Sequence, residues 1–85
     1  MNPNSHDFQR ELEKIFEMGE EKAESYVEII SGNLHRKVGG YPGRDHRMPI
    51  CCQVMKRNMR KDDQILEQPS SGKGATLRIR YKLPR

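Results

Sequence analysis

Residues 49–83, "PICCQVMKRNMRKDDQILEQPSSGKGATLRIRYKL", hold two different periodicities joined by a turn. Over the first part, Ile50, Cys51, Val54, Met55 and Met59 fall on one side at about 100° per residue, and Gln53, Lys56, Arg57 and Arg60 fall on the other. Pro49 suits the first helical position, where its missing N–H costs nothing. The pattern predicts a helix over 49–63. "DQILEQP" then predicts a short strand ending at Pro69, and "SSGKG" a turn. From Ala75 to Leu83 the chain alternates. Leu77, Ile79, Tyr81 and Leu83 share one face of a strand, and Arg78, Arg80 and Lys82 share the other. A cationic helix side followed by a cationic strand face implies an anionic partner lying against them.

Upstream, "SHDFQRELEKIFEMGEEKAES" (5–25) opens with cap-type residues Ser5 and Asp7. Phe8, Leu12, Ile15 and Phe16 then recur at helical spacing, predicting a helix from about residue 7 to residue 17 or 24. Gly19 leaves its end open, because a glycine inside a helix costs about 1 kcal/mol. "SYVEII" (25–30) favours a strand. "SGNLHRKVGG" (31–40) reads as a second helix, capped by Ser31, facing inward through Leu34 and Val38, and ended by Gly39. "GGYPGRDHRMP" (39–49) is a loop by its glycines and prolines.

The chain has 85 residues, 33% hydrophobic and without Trp, which bounds it to one domain with a thin core. That domain is expected over 7–83, with a flexible N-terminus at 1–6 and a loose C-terminal end at Pro84-Arg85. Apolar runs are far shorter than the ~18 residues of a spanning helix, which excludes a membrane partner on this reading. The first residues lack the basic-then-apolar pattern of a signal peptide, and Cys51 and Cys52 are adjacent without a partner elsewhere. Reduced thiols in a cytoplasmic protein are therefore expected. The net charge of +4 hides an asymmetry: residues 1–32 carry eight acids and three bases, residues 33–85 thirteen bases and four acids. A cationic surface of this kind suits an anionic polymer.

Written in order, the elements are helix, strand, helix, helix, strand, turn, strand. This order resembles a winged helix-turn-helix domain, an α+β fold of three helices and a small antiparallel sheet. The resemblance implies a third helix in the major groove of duplex DNA, presenting Gln53, Lys56, Arg57 and Arg60. It also implies a wing on the backbone, offering Lys73 at its tip and Arg78 and Arg80 on its strand. Arg44 and Arg47 would meet phosphate at the N-terminal end of that helix, where the helix dipole favours an anion. Gly72 and Gly74 would let the peptide approach a phosphate closely. The stretch "GGYPGRDHRMPICCQVM…GKGATLRIRYKLPR" is also similar to small bacterial proteins, some associated with HNH-type endonucleases.

Catalysis and metal binding find little to work with. Asp45-His46 has no downstream histidine, and His6 and His35 have no ligand spacing to it; bracing the loop before the third helix is the expected role of Asp45 or His46. Adjacent cysteines with one nearby His do not make a zinc site. Cys51 is expected in the core, whereas Cys52 is expected at its boundary, either packing or reactive beside basic neighbours. Asn58 lies on the apolar side of the third helix and is expected to bond a backbone group of the hairpin. Tyr81 is expected in the core, whereas Tyr41, in the loop, is expected to be freer for a functional role. The expectation is a non-enzymatic DNA-binding protein with no cofactor and no small-molecule substrate. Its alternative is a protein-interaction module, using the acidic first helix (Glu13, Glu17, Glu20, Glu21, Glu24) toward a protein partner or a second copy.

Overall fold

Asn4 starts the first helix, α1 (Ser5–Glu21), in a computed structural model that describes residues 3–43 and 46–85. Its side chain accepts from Asp7 N at 3.0 Å while Asp7 accepts from Asn4 N at 2.9 Å, a reciprocal cap that satisfies two otherwise free donors. The helix therefore begins earlier than Asp7, and the residues expected to be a loose N-terminus include its first two, Ser5 and His6. Phe8, Leu12 and Phe16 form its buried stripe. Gly19 stays inside the helix because the chain crosses it closely: a Cβ there would meet Leu83 Cδ1 at 2.7 Å and Val27 Cγ1 at 2.9 Å.

Strand β1 (Tyr26–Ile30) leads into α2 (Ser31–Val38), followed after a loop by α3 (Met48–Arg57). Strands β2 (Gln64–Glu67) and β3 (Arg78–Lys82) complete an antiparallel sheet of order β1-β3-β2. Among the described residues the fold is thus α+β, with three helices and one small sheet. The central strand is β3. It pairs Glu28 with Arg80 and Ile29 with Ile79 on one side, and Gln64 with Arg80 and Ile65 with Ile79 on the other. The expected alternation holds: Leu77, Ile79, Tyr81 and Leu83 are all buried. Together with Phe8, Leu12, Phe16, Leu34, Val54 and Met55 they form one core between sheet and helices. Each such fully buried side chain stabilises by roughly 1.5–3 kcal/mol. Tyr81 brings a hydroxyl into that core and donates it to Met55 O at 2.7 Å, so that hydroxyl is not left stranded.

Four local expectations need correction. Ser31 does not cap α2 by its side chain; the N-cap is Ile30, and the free donors of the first turn find backbone instead. Ser31 N donates to Leu77 O at 2.8 Å and Gly32 N to Ala75 O at 2.9 Å. That also shortens the last strand, since residues 75–77 serve α2 rather than β2. Helix α3 stops at Arg57, short of residue 63, because Asp63 folds back and accepts from Arg60 N at 2.7 Å. Arg60 therefore sits in a turn beyond the helix. Asn58 bonds α1 rather than the hairpin: it exchanges bonds with the Gln9 amide at 2.7 and 3.0 Å and donates to Val54 O at 2.8 Å.

Arg85 is the fourth. Expected to be loose, its guanidinium stacks over Phe16 at 4.5 Å, donates to Asp63 at 2.9 Å and reaches Asn58 O. The side chains of this ion pair are 7% and 1% exposed. Asp63 also accepts from Lys82 N at 2.7 Å, so one carboxylate joins the end of α3 to β3 and to the last residue.

Candidate functional site

Loop 68–77 returns the chain from β2 to β3 beside α3. Pro69 O accepts from Gly72 N at 2.8 Å, closing a tight turn whose last residue has φ +73, a left-handed shape that favours glycine. The loop is then tied to the helices by its carbonyls. Gly74 O accepts from Ser31 Oγ at 2.7 Å and from the Cys52 thiol at 3.3 Å. Gly72 O accepts from Lys56 Nζ at 2.9 Å. The glycines thus turn their backbone toward the body of the protein, and Lys73 between them projects into solvent.

A groove of about 230 Å³ runs between α3 and this loop, lined by Pro49, Ile50, Gln53, Lys56, Gly72 and Lys73. Gln53, Lys56 and Lys73 are thereby brought together, with exposed Arg57 following on the same helix. Arg47 stands one step before α3 and is exposed. Among the described residues, no carboxylate forms an ion pair with Arg47, Lys56, Arg57, Arg60 or Lys73. Arg44 lies outside the described residues, as does Asp45.

The cations of β3 are placed differently. With Ile79 and Tyr81 facing the helices, Arg78, Arg80 and Lys82 point to the other side of the sheet. There Glu28, on β1, pairs with Arg80 at 3.1 Å and with Arg78 at 3.8 Å. Arg80 also stacks over Tyr26 at 4.6 Å, and Lys82 pairs with Asp62 at 3.7 Å. The sheet face that reads as cationic in one strand is partly charge-compensated by the strand and turn beside it.

The loop before α3 is held by a residue that local sequence reasoning missed. His35 is fully buried, and its Nε2 accepts from Arg47 N at 2.9 Å. Its ring packs edge-on against Phe8 at 4.9 Å and beside Tyr41 at 5.4 Å, so Tyr41 is partly buried. His46 Nδ1 accepts from Met48 N at 3.2 Å and braces the start of the helix. The sequence signal for His35 was weak: it neighbours Leu34, on the helix that faces inward through Leu34 and Val38. Among the described residues, no group of three or more His, Cys, Asp or Glu is placed to hold a metal ion.

Both cysteines are buried. Burial, with Cys52 adjacent, pushes the Cys51 thiol up to about 12. Burial also raises Cys52, against the opposing pull of a hydrogen bond with Ser31 and of the Lys56 charge. The two thiols are neutral packing groups at pH 7, and Cys52 belongs to the core rather than to its boundary. No described helix is long and apolar enough to cross a membrane. No protein-family model, curated protein or solved structure matches this chain.

Proposed function

We propose that the chain is a non-enzymatic winged-helix domain that binds duplex nucleic acid, DNA before RNA, with α3 as its reading helix and loop 68–77 as its wing. The observation that carries this reading is the pairing pattern of the cations. Arg47, Arg57 and Lys73 sit on or beside α3 with no described carboxylate paired to them. Such a surface attracts a polyanion by releasing its counterions. Element order and the sheet order β1-β3-β2 agree with a winged helix. Gln53 suits an adenine edge and Arg57 a guanine edge or a phosphate. Arg78 and Arg80 are secondary in this reading, because Glu28 already engages both.

Fluorescence anisotropy with a labelled random duplex tests it. The expected result is binding at 50 mM salt that weakens steeply toward 200 mM, with log affinity falling by about 0.9 per phosphate contact for each unit of log salt. Absence of duplex binding at low salt would sink the proposal.

A further inference from the structure

Two side chains of α3 reach loop 68–77, and they hold it at different points. Cys52 and, from α2, Ser31 hold its base through Gly74 O. Lys56 holds its tip through Gly72 O at 2.9 Å. Lys73 stands between these anchors, its own amide donating to Ser71 Oγ at 3.2 Å. The contact at Gly72 is close as well as bonded: a Cβ there would meet Lys56 Nζ at 3.0 Å, on a backbone at φ +73. An ammonium directed at a backbone carbonyl serves the fold of the loop first.

From this geometry we propose that Lys56 is a positioning residue, which clamps Gly72 and so sets where Lys73 stands beside the exposed side of α3. The functional consequence rests on the nucleic-acid reading above; the clamp itself is a property of the free protein. A loop rich in Ser and Gly would ordinarily be ordered only on binding, at an entropic cost. Tied down beforehand, it presents Lys73 preorganised, and that cost does not fall on the complex.

The test uses Lys56→Met, which keeps the aliphatic stem and removes the donor, together with Lys73→Ala and the double variant. The first reading is made without DNA: the ¹⁵N heteronuclear NOE of the Gly72 and Lys73 amides is expected to drop in Lys56→Met while that of β3 stays at its wild-type value. The second is a double-mutant cycle on duplex affinity. If Lys56 acts through Lys73, the double variant binds within about twofold of Lys56→Met, and its salt slope is lower than wild type by about 0.9, one contact's worth. An unchanged loop NOE in Lys56→Met overturns the proposal. So does a cycle in which the two costs multiply and the slope falls by about 1.8, the signature of two independent phosphate contacts. Failure of the wild-type chain to bind duplex would remove the nucleic-acid reading, while the NOE comparison still decides the clamp.

Discussion

Arg78 and Arg80 on β3 and Arg57 and Lys73 beside the groove are similar residues in different company. On the sheet, Glu28 stands across from Arg80 and diagonal to Arg78 and pairs with both, Tyr26 lies under Arg80, and the two guanidinium side chains are 41% and 42% exposed. On α3 and its loop, the cations have no described carboxylate paired with them, and the neighbouring lysine is used to shape the loop. The first arrangement compensates charge and ties two strands together. The second leaves charge without a described carboxylate beside it. A count of basic residues does not distinguish them; the partner across the strand does.

A third pair sets the scale for this comparison, because it is buried. Asp63→Ala leaves Arg85 without its carboxylate and removes the acceptor for Arg60 N and Lys82 N. It is expected to cost about 3 kcal/mol in urea denaturation, the usual penalty for breaking a buried pair. That is a large share of the stability of so small a domain. Burial alone would raise the Asp63 carboxyl, but the donors from Lys82, Arg60 and Arg85 outweigh it and hold it below its ordinary 3.8. Since the folded group titrates below the unfolded one, its contribution is complete above about pH 4 and is lost as pH falls through the lower folded value. Asp63→Asn should flatten that acid limb of stability; an unchanged limb would assign it to other carboxylates.

The comparison itself breaks on charge reversal. Arg57→Glu combined with Lys73→Glu is expected to weaken duplex binding on the order of 100-fold at low salt and to lower the salt slope by about 1.8. Arg78→Gln with Arg80→Gln should weaken it by less than about threefold, since these charges are already engaged. Anisotropy titrations that reverse this order would move the interface to the sheet. The smallest effect sharpens the contrast by making one face resemble the other. Glu28→Gln frees Arg78 and Arg80, and is expected to strengthen non-specific duplex binding by roughly threefold while costing under about 1 kcal/mol of stability. No gain in affinity would mean that the sheet face lies too far from the nucleic acid to take part.

Local periodicity reached much of this molecule. The alternation of Leu77, Ile79, Tyr81 and Leu83 and the apolar stripe of α3 place the core correctly, because a face buried by one partner must repeat with the period of its own backbone. What escaped is long-range. Glu28 and Arg80 are 52 residues apart in the chain, as Gln9 and Asn58 are 49 apart, and no local pattern links them. The cap of α2 differs from the expected Ser31 side chain because backbone carbonyls of Ala75 and Leu77 take its place. The end of α3 was overrun because helical propensity continues past Arg57, whereas Asp63 and Asn58 recruit partners from β3, Arg85 and α1. For the candidate site, residue types were legible from sequence and their pairing was not. That pairing is what separates Lys73 and Arg57 from Arg78 and Arg80.

The most direct measurement is an NMR titration of the ¹⁵N-labelled chain with a random duplex at low salt. Amide shifts should concentrate on Arg47, Gln53, Arg57 and Gly72–Gly74, and leave Tyr26–Ile30 and Arg78–Lys82 largely in place. Shifts centred on those two strands, or confined to the acidic side of α1, would contradict the account.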